Sequence, residues 1–180
     1  MDAAPAAFRQ QLLGAIPRLR RYARSLVFDT HAADDLVQTA LERALAHWHQ
    51  FDQQRDILVW TLSIAHNAYM DDRRRHARLP IAEPRDAGAP GLDDERHAAE
   101  TPDLGLRLDL VAALQRLPVE QREPLLLVTL EQLSYAECAE LLRIPIGTVM
   151  SRISRGRTAL RSLLDGRAPL AAAPGLRRVV

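Results

Sequence analysis

The chain has 180 residues, 47% of them hydrophobic, enough to bury one core or two small ones. Aromatics supply only 4% and glycines number 8, while Ala, Leu and Arg dominate, a balance that favours helices over a sandwich or barrel. The net charge is only +1, yet all 24 Lys+Arg residues are arginines and unevenly placed, so local charge says more than the sum. A single cysteine cannot form an intramolecular disulfide and gives no sign of a structural zinc site. No long charge-free apolar run opens the chain, which argues against a signal peptide or membrane span. The expectation is a soluble, cytoplasmic, all-α protein.

From Phe8 to about Phe28 apolar residues recur at helical spacing, interrupted at Pro17, which predicts one kinked helix or two short ones. In "HAADDLVQTALERALAHWHQF", Leu36, Val37, Ala40, Leu41, Ala44, Leu45 and Trp48 share one face, and Asp34 and Asp35 are expected in the first turn, where the helix dipole favours acids. Asp35, Gln38, Thr39 and Glu42 form a polar stripe on the opposite face. After the loop "FDQQRD", a third segment runs from about Ile57 to His76, carries Trp60, Ile64, Ala65 and Ala68, and leads into "RRRHAR". These segments make a first module, residues 1–78. Trp60 is expected to pack in its core.

Periodicity stops over residues 79–103, "LPIAEPRDAGAPGLDDERHAAETPD", which is rich in Pro, Gly, Ala and acids. Connections inside a compact domain usually run about 4–6 residues, so this stretch predicts a flexible linker between two domains, with an r.m.s. span of about 25–30 Å. The second module, residues 104–165, is expected to hold four helices, with Pro124 in the first turns of its segment, where proline is tolerated. Residues 166–180 read as a frayed tail. The expected architecture is two small helical domains.

Within the second module Ser134 and Glu137 have the spacing of a capping box, and Leu133 with Cys138 that of a hydrophobic staple, so a helix should begin at Ser134. Tyr135, Cys138, Ala139 and Leu142 make its apolar face; Arg143, Ile144 and Pro145 break it. In the next helix Val149, Ile153, Gly156, Leu160 and Leu163 point one way. Thr148, Ser151 and Arg155 point the other, with Arg152 beside them and Met150 on the flank. Four arginines and no acid lie between Ile146 and Arg161. Short polar groups near a helix N-terminus, followed by arginines, suit a helix that enters the DNA major groove. The alternative is a solvated basic face, and the capping box, short break and absence of acids together favour a DNA-binding helix-turn-helix.

"LPVEQREPLLLVTLEQLSYAECAELLRIPIGTVMSRISRGRTALRSLL" resembles region 4 of the extracytoplasmic-function (ECF) sigma factors of the sigma-70 family. "ADDLVQTALERAL" and "WTLSIAHNAYMDDRRRHAR" resemble their region 2, in the right order and with a linker between. The sequence departs from the family at Thr39, Thr61, Arg143, Met150 and Gly156, the last replacing a usual Ala at about 1 kcal/mol of helix propensity. A weaker likeness joins the first module to the general-stress-response members.

The resemblance implies a non-catalytic subunit that binds core RNA polymerase and directs it to promoter DNA. It assigns core-polymerase binding to Asp34, Asp35, Gln38 and Glu42. Minus-10 recognition would fall to Gln53, Gln54, Arg55, Asn67, Arg73, Arg74 and Arg75, with a flipped base bound near Asn67, and Arg78 would join the three neighbouring arginines on phosphates. Minus-35 recognition would fall to Thr148, Met150, Ser151, Arg152 and Arg155. It also implies an anti-sigma factor as partner, association with the nucleoid, and no cofactor. A metal site at His47 and His49 is disfavoured because residues two apart on a helix diverge, and a hydrolase built on His66, Asp71 and Asp72 because an amphipathic helix with a basic end explains that stretch. Cys138, on the apolar face, is expected to be buried and inert. The alternatives are a DNA-binding regulator that does not engage polymerase and a sigma mimic that only sequesters an anti-sigma factor.

Overall fold

The computed structural model describes residues 3–78 and 104–166. The expected linker and all but the first residue of the expected tail lie outside them. Helices α1 (Ala6–Val27), α2 (Thr30–Ala46) and α3 (Ile57–Arg78) form the first module, with a 3-10 turn at Trp48–Gln50. Helices α4 (Leu104–Arg116), α5 (Val119–Thr129), α6 (Tyr135–Leu142) and α7 (Ile146–Leu164) form the second. Among the described residues no strand is present, and no helix is long and apolar enough to cross a membrane.

Helix α1 runs unbroken through Pro17. The ring removes one backbone donor, but the buried stripe Phe8, Leu12, Ala15, Leu19, Tyr22, Ala23 and Leu26 holds both halves against α2 and α3. Phe28, in the left-handed region at φ 61°, ends the helix and donates its N–H to the Arg24 carbonyl. Helix α2 starts earlier than its apolar pattern suggests, because the Asp29 carboxylate accepts from the Ala32 N–H at 2.7 Å. Asp34 and Asp35 therefore lie in the second turn, and the dipole argument for them does not hold. Leu45 is exposed rather than on the core face. The helix ends one residue later, and Trp48 lies in the 3-10 turn rather than continuing the stripe.

Asp56 accepts from the Leu58 N–H at 2.7 Å in the first turn of α3. Thr61 is fully buried, and its hydroxyl donates to the Ile57 carbonyl at 2.6 Å, so a polar side chain is accommodated in the core with its donor satisfied. Trp60 packs with Phe8 and Phe51 at ring-centroid separations of 5.9 and 5.2 Å, the structural role expected of it.

In the second module the four expected helices are present, and the capping box forms: the Ser134 hydroxyl accepts from Glu137 N–H while Glu137 accepts from Ser134 N–H at 2.8 Å. Pro124 lies in the second turn of α5, deeper than the first-turn position that tolerates proline, and is held there by burial on both sides of the helix. Arg143 ends α6 at φ 55°, a conformation that glycine adopts at lower cost. Val149, Ile153 and Gly156 are the buried residues of α7. A Cβ at Gly156 would stand 3.2 Å from the Gln121 carbonyl oxygen, so the glycine permits the close approach of α7 to α5.

The two modules pack on each other, and buried residues of both join one apolar cluster. Two carboxylates organise the seam. Glu131, 1% exposed, accepts from the guanidinium Nε of both Arg18 and Arg21 at 3.0 Å. Glu123, 2% exposed, accepts from the Tyr22 hydroxyl at 2.5 Å and lies 2.7 Å from His66 Nδ1. Arg122 donates to the Leu26 carbonyl at 3.0 Å and lies 4.8 Å from the Phe28 ring centroid. These contacts follow the rule that buried charge must be paired and hydrogen-bonded.

Candidate nucleic-acid and polymerase interfaces

Helix α7 is positioned by its buried Val149–Ile153–Gly156 face, which leaves the opposite face in solvent. Thr148, Ser151 and Arg155 form a hydrogen-bonded row there. Ser151 Oγ donates to the Thr148 carbonyl at 3.0 Å, and Arg155 donates through Nε to the Ser151 carbonyl at 3.2 Å. Met150 is 52% exposed, and Arg152 is half-buried on the flank. All five residues singled out from the sequence are thus on one helix, with Met150, Ser151 and Arg155 exposed and Thr148 and Arg152 half-buried. Such a surface can place hydroxyls against base edges and a guanidinium on guanine or phosphate.

Asp34, Asp35, Gln38 and Glu42 are all exposed on α2. Gln38 donates to Glu42 at 2.9 Å, and Asp34 pairs with Arg20 of α1 at 3.3 Å, so the stripe is ordered by its own hydrogen bond and by its neighbour helix. Its chemistry suits a partner surface bearing basic groups.

The third set does not lie on one face. Gln53, Gln54 and Arg55 occupy an exposed loop that turns where Asp52 accepts from the Gln54 N–H at 2.9 Å. On α3, Asn67 shares a face with Arg74, seven residues on, and with Asp71 between them, which lies 3.8 Å from Arg74. Arg73 instead follows His66 at seven residues and turns toward the second module, 3.8 Å from Glu120 and 5.9 Å from the Tyr69 ring centroid. Arg55 is likewise engaged by the second module, 2.6 Å from Glu140, whose hydrogen bond raises the guanidinium pKa. Arg75 and Arg78 are exposed at the end of α3.

Several ionisable groups at the seam are shifted from their ordinary values. Burial, reinforced by the neighbouring Glu123 carboxylate, raises the Tyr22 hydroxyl well above its usual range. The same two causes push the Cys138 thiol up to about 12, matching the inert, buried cysteine expected there. Burial lowers the Arg122 guanidinium. Among the described residues no group of three or more His, Cys, Asp and Glu could hold a metal ion.

Sequence reasoning passed over Arg18, Arg21, Glu123 and Glu131, because no local pattern announces a partner that lies more than a hundred residues away in the chain. Asp29 could have been found from its place as a capping residue ahead of Thr30.

Two family models match the chain: Sigma-70, region 4, over residues 107–160, and the Sigma2 domain of PhyR over residues 12–66. The chain is 36% identical over 157 residues to "ECF RNA polymerase sigma factor EcfG" of Rhodopseudomonas palustris (strain TIE-1), a match covering 87% of this chain and 84% of that protein. The chain belongs to the ECF RNA polymerase sigma factors. It is also 33% identical over 146 residues to the ECF sigma factor SigW of Bacillus subtilis (strain 168), covering 76% of this chain and 77% of that one. Among solved structures, the sigma factor RpoE of Bartonella quintana, crystallised with the anti-sigma factor NepR, aligns at TM-score 0.74 and 29% identity, covering 89% of this chain and 98% of that one. The two family matches fall one in each helical module.

Proposed function

We propose that this ECF sigma factor binds core RNA polymerase through Asp34, Asp35, Gln38 and Glu42 and takes it to promoters recognised at two elements. The polymerase supplies the chemistry and this chain the specificity, so it is a non-catalytic subunit. Residues 1–78 act as region 2, residues 104–165 as region 4, and residues 79–103 join them. Thr148, Met150, Ser151, Arg152 and Arg155 read the minus-35 element in the major groove. Gln53, Gln54, Arg55, Asn67, Arg73, Arg74 and Arg75 act at the minus-10 element, Asn67 on a base edge and the arginines on phosphates. The carrying observation is the Thr148–Ser151–Arg155 row, with Ser151 and Arg155 exposed and Thr148 half-buried, on a helix whose other face is buried, within the segment matched by Sigma-70, region 4.

An anti-sigma factor that holds the chain inactive, general stress response as the setting, and a cytoplasmic, nucleoid-associated location complete the proposal. The likeness to the NepR-bound sigma factor supports the first of these. The test is co-purification with sigma-free core polymerase. Wild-type protein should form a stable complex, and Asp35→Arg/Glu42→Arg should lose it while keeping its helical circular-dichroism signal. Absence of any complex with wild-type protein would overturn the proposal.

A further inference from the structure

The groove between α6 and α7 has two kinds of lining. Tyr135, Met150 and Ile153 make it apolar on one side, and Ser154, Arg157 and Arg161 supply polar and basic groups. Ile153 is buried, whereas Met150 is exposed. The other exposed large apolar side chains of α7, Ile146 and Leu164, lie at its two ends, so Met150 alone stands among the polar residues of the exposed face. It is the fifth residue of the helix, in the part that reaches base edges when a recognition helix lies in the major groove.

A thioether offers a base edge no hydrogen-bond donor and only a weak acceptor. What it offers is apolar contact, and the C5-methyl of thymine is the apolar group that the bases present in the major groove. Arg157 and Arg161 have no acid partner among the described residues, so the charge of the groove favours a polyanion as its occupant. We propose that Met150 reads a thymine of the minus-35 element by packing its thioether on the C5-methyl. Tyr135 and Ile153 back the side chain, and Arg157 and Arg161 meet nearby phosphates. This inference deepens the assignment of α7 to that element and rests on it.

The test uses this chain in complex with sigma-free core polymerase, and a duplex DNA library randomised over the upstream element. Wild-type protein should enrich thymine at one position that Met150→Ala no longer selects and Met150→Leu still does. In synthetic duplexes, replacing that thymine by deoxyuridine removes the methyl and leaves every hydrogen-bonding group of the base in place. The replacement should weaken wild-type binding roughly fourfold, the worth of one buried methyl group. Met150→Ala, too short to reach, should bind both duplexes equally. If wild-type protein enriches no upstream element, the assignment of α7 to DNA fails and this inference with it. An enriched element in which Met150→Ala changes no position, or in which deoxyuridine binds as well as thymine, defeats the methyl contact alone; Met150 then only covers Tyr135 and Ile153.

Discussion

Helix α7, the proposed reading helix, and the basic end of α3 carry similar side chains in different settings. On α7 the polar row bonds only within its own helix, Arg155 folding back on Ser151. On α3 and its preceding loop, two arginines are tied to acids of the other module. The difference teaches that an exposed basic helix is identified by local pattern, whereas the state of a basic surface that faces another module depends on contacts distant in sequence. The proposal that α7 is a recognition helix stands on its own residues. The proposal for the α3 surface does not.

The comparison breaks most clearly at Arg155. Arg155→Ala should reduce minus-35-dependent transcription by about 1–3 kcal/mol of lost base or phosphate contact, roughly five- to 150-fold, with core binding unchanged in a co-purification assay. Loss of both would show that α7 is needed for folding rather than reading. At the seam, Tyr22→Phe removes the hydroxyl that donates to the buried Glu123 carboxylate and should lower stability to urea by about 1–3 kcal/mol. No change in the unfolding midpoint would mean that Glu123 is satisfied without it.

Effects within α6 are smaller. Ser134→Ala should cost about 1 kcal/mol at neutral pH by removing the capping box. The Glu137 carboxyl titrates below its usual range because the Ser134 side chain and backbone bond its ionised form. A depressed carboxylate stabilises the fold above its unfolded-state pKa, and that contribution is lost as pH falls through the folded-state value. The difference between wild type and Ser134→Ala should therefore shrink in acid, which urea melts at a series of pH values can follow. Arg143→Gly relieves the left-handed conformation at the α6 terminus and should raise stability by about 0.5–1 kcal/mol; a loss would show that the Arg143 side chain supports the turn. Finally, Cys138 should resist iodoacetamide at neutral pH and react once the chain is unfolded.

Much of the fold was legible because its strongest signals are local. The Ser134–Glu137 spacing located the start of α6, and the seven-residue repeat from Val149 located the buried side of α7. The α2 start was misplaced because apolar periodicity begins after the cap, while the Asp29 carboxylate sets the terminus itself. Pro17 left one kinked helix and two short ones both open because its lost hydrogen bond is local and the packing that offsets it is not. In the candidate site, the α2 stripe and the α7 row follow from helical spacing. The separation of Arg73 from Asn67 and Arg74 was equally present in that spacing, but which side faced the second module was not. Glu123 and Glu131 stay silent in the sequence for the same reason: a buried acid announces itself only beside its partners.

The central claim is that one chain supplies two DNA-reading surfaces to a polymerase. It is tested most directly by incubating sigma-free core polymerase and this protein with genomic DNA and sequencing the 5′ ends of the transcripts. The account predicts discrete start sites preceded by two shared elements at a fixed spacing, and loss of those sites with Arg155→Ala. Start sites no more numerous or ordered than with core polymerase alone would contradict it.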